Sequence, residues 1–133
     1  LITNGTNTLL IGLYDMVMIK NNHIQVAGGI KNAVEAIRKK IPEGIKIEVE
    51  TSSMEEVKEA LDTNVDIIML DNMTSTMMKE AVKLINKRTK IEASGNMTLK
   101  RIRKVASTGV DYISIGALTH SVKALDISLR IID

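Results

Sequence analysis

The chain has 133 residues, 44% of them hydrophobic, and 18 basic against 16 acidic residues give a formal charge of +2. That length supports one core but falls short of the roughly 250 residues of a complete (β/α)₈ barrel. Balanced charge and 2% aromatics leave no electropositive field and no base-stacking platform, so nucleic acid is excluded as an expected partner; the absence of Cys excludes disulfides and thiolate metal sites.

Taken in chain order, β-rich runs alternate with segments of helical period. The runs are "MVMIK" (16–20), "IKIEVE" (45–50), "DIIML" (66–70), "KIEAS" (90–94) and "DYISI" (111–115). Each is followed by a stretch whose apolar spacing is near 3.6. Pro42 and Gly44 are expected to end the first helix, Ser52 or Ser53 to cap "MEEVKEAL", and Thr98 to open "LKRIRKVA". The pattern predicts an α/β fold, a partial (β/α) barrel of about five successive βα units on a parallel sheet. No apolar run reaches the ~18 residues of a membrane span, and "LITNGTNTLL" lacks the basic start of a signal peptide. A cytoplasmic protein with no membrane partner is expected.

Alternate residues of a strand point to opposite faces of the sheet, and here one face carries charge. Glu48 and Glu50 share a face opposite Ile45, Ile47 and Val49, and Lys20, Asp71, Glu92, Ser94, Ser114 and Gly116 fall at or near strand C-terminal ends. Barrel enzymes build their sites on that rim, where loops and helix N-termini converge. A charged inner face points to a polar ligand; an ion-pair network of Lys20 with one or two glutamates, merely filling the barrel mouth, explains the same residues about equally well.

Two loops favour the ligand. "ASGNMT" (93–98) and "SIGALTHS" (114–121) each place Gly among small or hydroxyl residues between a strand and a helix, exposing backbone N–H groups where the helix dipole attracts an anion. The pair suggests a phosphate site, although neither loop is a Walker or dinucleotide fingerprint.

The runs "GLYDMVMIKNNHI", "IEVE", "DIIMLDNM", "IEASGNMTL" and "GVDYISIGALTHSVKALDISL", in this order and spacing, resemble the quinolinate phosphoribosyltransferase family, the decarboxylating nicotinate-nucleotide pyrophosphorylases. The resemblance covers nearly all of the chain from Gly12 onward. It implies that residues 1–133 are a single C-terminal portion of that family's barrel, with 1–11 a divergent lead-in. It further implies transfer of phosphoribose from phosphoribosyl pyrophosphate to quinolinate, with loss of carbon dioxide and pyrophosphate, using magnesium, in a homodimer or higher homo-oligomer.

By the same resemblance, Lys20 contacts a quinolinate carboxylate, while Glu50 and Asp71 face the ribose hydroxyls and the magnesium-bound pyrophosphate. Ser94, Gly95, Asn96 and Gly116 seat the phosphate, with His120 beside them. His23 is expected to be structural and Asn22 to fix the loop after Lys20. The chain departs from the family's pattern where Leu9 and Leu10 stand in place of a His-Arg pair, and Asn21 in place of an Asp. A non-catalytic half-barrel that pairs with another chain, or a related phosphate-binding barrel enzyme for another substrate, remain open alternatives.

Overall fold

The computed structural model describes residues 16–115. Five parallel strands lie in chain order: β1 (Met16–Ile19), β2 (Lys46–Thr51), β3 (Ile67–Asp71), β4 (Lys90–Ser94) and β5 (Tyr112–Ile113). Helices connect them: α1 (Asn21–Ala27) and α2 (Ile30–Arg38) between β1 and β2, then α3 (Met54–Asp62), α4 (Ser75–Ile85) and α5 (Leu99–Ala106). Parallel neighbours require crossovers, and a helix is the usual way to bury the outer face of such a sheet.

The core is the layer between sheet and helices. Ile47 and Val49 of β2, Ile68 and Leu70 of β3, and Ile91 and Ala93 of β4 point outward into it, against Val34, Val57, Ala60, Met78, Ala81, Ile85 and Val105 of the helices, all buried. The residues between them in sequence, Glu48, Glu50, Met69, Asp71, Glu92 and Ser94, fall on the opposite, inward face. Side-chain stitches fix the strand starts. The Asp66 carboxylate accepts the Ile47 N–H at 2.8 Å, and the Asp111 carboxylate accepts the Ile91 N–H at 2.9 Å and the Lys90 ammonium at 2.7 Å. Asp111 is pulled below the ordinary carboxylate range: these hydrogen bonds and the Lys90 charge outweigh its partial burial, the largest single effect, which acts in the opposite direction.

The cap of α3 is Ser53, whose hydroxyl accepts the Glu56 N–H at 3.2 Å while Glu56 reaches back to Ser52 N–H at 2.6 Å. Thr98 caps α5 as the sequence indicates. The stretch after β1 differs from expectation. It holds two helices, because Gly28 (φ 77°) and Gly29 (φ 133°) take backbone angles that end α1, and α2 stops at Arg38, four residues before Pro42. β5 is also shorter than the predicted 111–115, and Glu92 sits mid-strand in β4 rather than at its end.

Ile68 is fully buried between sheet and helices. Ile68→Ala should therefore destabilise the chain by about 2–5 kcal/mol in urea unfolding, whereas Lys58→Ala on the exposed side of α3 should change it by less than about 0.5 kcal/mol.

Candidate active site

The C-terminal ends of β1 to β4 bring Lys20, Glu50, Asp71 and Ser94 to one rim. Lys20 is the extended N-cap of α1 (φ −100°, ψ 166°), directly behind β1. Its backbone N–H donates to Nδ1 of His23 at 3.2 Å, and the Lys20 carbonyl accepts the N–H groups of His23 and Ile24. His23 thus closes the first turn of the helix and leaves the Lys20 side chain free of that task. Asn22 corrects the expectation of a loop: it lies within α1, and its Oδ1 accepts the His23 N–H at 2.9 Å.

Glu50 is half-buried. Burial first, and the Asp71 carboxylate second, raise it above the ordinary carboxylate range, against the opposing pull of Lys20 and His23. The first three sequence-predicted residues therefore form one electrostatic cluster. Lys20 enters it as a neighbouring charge rather than as an ion-pair partner, since among the described residues the one ion pair is Lys90 with Asp111. The Lys20–glutamate ion-pair network is thus not formed here.

Next to Asp71, the β3 and β4 loops interlock. Asn72 adopts a left-handed conformation (φ 54°); its N–H donates to the Ser94 carbonyl at 3.0 Å, and its side-chain amide donates to Asp71 at 2.9 Å and accepts from Asn96 at 3.0 Å. Gly95 (φ 86°) packs so closely that a Cβ there would lie 2.9 Å from the Asn72 backbone nitrogen and collide with its side chain. Glycine is required at Gly95 by both conformation and space. Arg101 locks the arrangement from α5: its guanidinium donates to the carbonyls of Gly95 (3.0 Å), Asn96 (3.3 Å) and Met73. Arg101 thereby satisfies three main-chain carbonyls from α5 and fixes the shape of the loop ahead of that helix. Sequence reasoning missed both Asn72 and Arg101. An Asn directly after a strand was the available signal for the first, being the non-glycine residue most tolerant of φ > 0; Arg101 carried none.

Beneath the rim lies an acidic pair. Glu48 is 1% exposed, its Oε1 has no hydrogen-bond partner, and its carboxyl is pushed up to about 8 by burial, then by the charge and hydrogen bonding of Glu92, and lastly by Glu50. Glu92 in turn accepts from the Ser114 hydroxyl. Gly116 and His120 lie outside the described residues, as do Leu9 and Leu10. The groove of about 920 Å³ between Asn64, Lys87, Arg88, Lys90 and Asp111 opens at the opposite end of the strands and contains none of the predicted site residues.

No group of three His, Cys, Asp or Glu among the described residues is placed to hold a metal ion unaided. Glu50 and Asp71, two carboxylates whose mutual repulsion a cation would relieve, suit a magnesium ion that brings most of its ligands as water and phosphate oxygens.

Residues 1–130 match the family model described as quinolinate phosphoribosyl transferase, C-terminal domain. The chain belongs to this family. It is 50% identical to the chloroplastic nicotinate-nucleotide pyrophosphorylase [carboxylating] of Arabidopsis thaliana and to the mitochondrial quinolinate phosphoribosyltransferase [decarboxylating] 2b of Nicotiana tabacum, covering 98% of this chain and 42% of each relative. The solved structure of the nicotinate-nucleotide pyrophosphorylase from Francisella tularensis superposes with a TM-score of 0.78 at 41% identity, covering 89% of this chain and 42% of that one. The chain therefore spans about two fifths of the length of the relatives it matches. No helix among the described residues is long and apolar enough to cross a membrane.

Two outcomes follow from this geometry. Gly95→Ala should destabilise the chain by about 1–3 kcal/mol in chemical unfolding and loosen the Asn72–Asn96 contact, visible as faster amide exchange at residues 72 and 96. Because Glu48 binds its proton more tightly folded than unfolded, its contribution is fully present below pH 4.5 and is lost as pH rises toward about 8. Unfolding free energy should fall by a few kcal/mol across that window, and Glu48→Gln should flatten the fall.

Proposed function

We propose that this chain carries the phosphoribose half of a quinolinate phosphoribosyltransferase site, in a protein that converts quinolinate and phosphoribosyl pyrophosphate to nicotinate mononucleotide. The observation that carries this reading is the convergence of Lys20, Glu50 and Asp71 at the strand ends beside the Gly95 loop, in a member of this family. In the reaction, the bond from ribose C1 to pyrophosphate breaks and a bond from C1 to the pyridine nitrogen forms. One ring carboxylate leaves as carbon dioxide, and a proton takes its place.

Each residue has a role suited to its charge. The Lys20 ammonium holds a quinolinate carboxylate and orients the ring so that its nitrogen faces ribose C1; when carbon dioxide leaves, the bonding pair stays on the ring carbon and takes up the proton. Glu50 and Asp71 accept hydrogen bonds from the ribose hydroxyls, and their negative charge stabilises a ribose that turns oxocarbenium-like as pyrophosphate departs. Magnesium, held by these two carboxylates and the pyrophosphate, would neutralise charge on the leaving group. Ser94, Gly95 and Asn96 offer N–H groups to the 5′-phosphate, joined in this reading by Gly116 and His120. We place the working protein in the cytoplasm as a homodimer or larger homo-oligomer; among the described residues β1 and β5 each pair on one side only, which favours association.

Leu9 and Leu10, where the family pattern has His-Arg, remove cationic contacts for a dicarboxylate but none for the phosphate. In calorimetry, phosphoribosyl pyrophosphate with magnesium should bind this chain measurably, and quinolinate alone should bind at least about tenfold more weakly. Glu50→Gln and Asp71→Asn should leave the free chain equally or more stable while weakening magnesium-dependent binding of phosphoribosyl pyrophosphate. Destabilisation of the free chain with binding intact would assign the two carboxylates to the scaffold instead.

A further inference from the structure

Two seats at the rim are carried by different strands. Asp71 closes β3, and Ser94, Gly95 and Asn96 run from the end of β4 into its loop. Asp71 and Ser94 are register partners, and the Asn72 N–H donates to the Ser94 carbonyl at 3.0 Å. Past that bond the two loops are joined, among the described residues, by side chains alone.

Two side chains make the joint. The Asn72 amide donates to Asp71 at 2.9 Å and accepts from the Asn96 amide at 3.0 Å, so one planar group touches both seats. Arg101 spans the same gap from α5. Its Nη1 donates to the carbonyls of Gly95 and Asn96, at 3.0 and 3.3 Å, and its Nη2 donates to the carbonyl of Met73 on the other loop. Met73 is 2% exposed and belongs to the outward core, so the guanidinium ties the β4 loop to a fixed point.

The Arg101 charge has no ionic reason for its place. It lies in the first turn of α5, which contains no acidic residue, and a cation there faces the positive end of the helix dipole. Among the described residues the one ion pair is Lys90 with Asp111, so no carboxylate answers it. Its partners are three carbonyls on two loops. A lysine, with one compact ammonium, does not reproduce a planar fork whose two nitrogens reach separate loops.

The separation of the seats matters to one class of ligand. An inorganic anion fills the β4 seat alone and is indifferent to where Asp71 lies. A sugar phosphate fills both, and its affinity is reduced by the cost of ordering two loops that move independently; holding them in place beforehand removes that cost.

We propose that Arg101 is a positioning residue that fixes the separation between the phosphate seat and the Asp71 carboxylate, and thereby selects a ribose 5-phosphate group over free phosphate. The role rests on the phosphoribose reading of this site and is one of geometry, since Arg101 holds main-chain carbonyls and touches no reacting atom.

Calorimetry on the 133-residue chain without magnesium compares two probes, ribose 5-phosphate and inorganic phosphate. The unaltered chain should bind the sugar phosphate more tightly. Arg101→Lys, which keeps the charge, should lower the affinity for ribose 5-phosphate at least about fivefold and that for inorganic phosphate less than about twofold. Asn72→Gly, which keeps the left-handed backbone and removes the amide, should show the same selective loss. The double variant should lose no more than the weaker-binding single variant, because both loosen one joint. Equal weakening of both probes by Arg101→Lys would overturn the proposal and make Arg101 part of the phosphate seat. An unchanged preference for the sugar phosphate, or additive losses in the double variant, would overturn it as well. Should Arg101→Lys unfold by circular dichroism, the selectivity of Asn72→Gly decides by the same two outcomes. Failure of the unaltered chain to bind either probe would instead reject the phosphoribose reading, and this role with it.

Discussion

The strict two-residue alternation of the parallel strands is the constraint on which everything else in this molecule depends. In β2, Ile47, Val49 and Thr51 face the helices and Glu48 and Glu50 face away, so one strand serves a dry core and an acidic interior at once. Slipping β2 by one residue would drive two carboxylates into the helix layer. The carboxylates at the strand starts prevent this slip: Asp66 and Asp111 each hold the first core-facing N–H of the preceding strand, so register is set by charge-assisted hydrogen bonds at one end and used for chemistry at the other.

That division of labour makes the rim both precise and replaceable. Strand ends place Lys20, Glu50 and Asp71, but the loop between β4 and α5 is shaped by three local contacts: Gly95 against Asn72, Asn96 to Asn72, and Arg101 to three carbonyls. Only the Arg101 contact ties the loop to the outward core, through the buried Met73 and through α5, which packs there by Val105. In this architecture such loops vary while the sheet is kept, which is how it accommodates many substrates.

Much of this was legible in the sequence, and the reason is periodicity. Alternating runs such as "IKIEVE" and "KIEAS" announce strands with one polar face, and Ser53 and Thr98 announce helix starts, because each signal is local. What was hidden is non-local or subtle in local sequence. The break at Gly28 and Gly29 has no periodic signal of its own, and α2 ends at Arg38 in a turn whose backbone hydrogen bonds run on to Ile41, the residue before Pro42. His23 reads as structural, and its ring accepts the Lys20 backbone N–H. Arg101 was illegible because its acceptors are main-chain carbonyls up to 28 residues away, which no side-chain pattern encodes.

One relation between Glu48, Glu50 and Glu92 reaches further than the site. Followed along the hydrogen bonds, Glu92 is level with Met69 and through it with Glu50, yet the carboxyl it meets is that of Glu48, two residues lower on β2. Two strands across, the interior level has dropped by two residues, or one per strand. A stagger of this sense is what tilts parallel strands against the axis of a curled sheet. The pairing of Glu48 with Glu92 thus follows the stagger of the strands rather than their hydrogen-bonded register, so it can be lost without either residue moving within its own ladder.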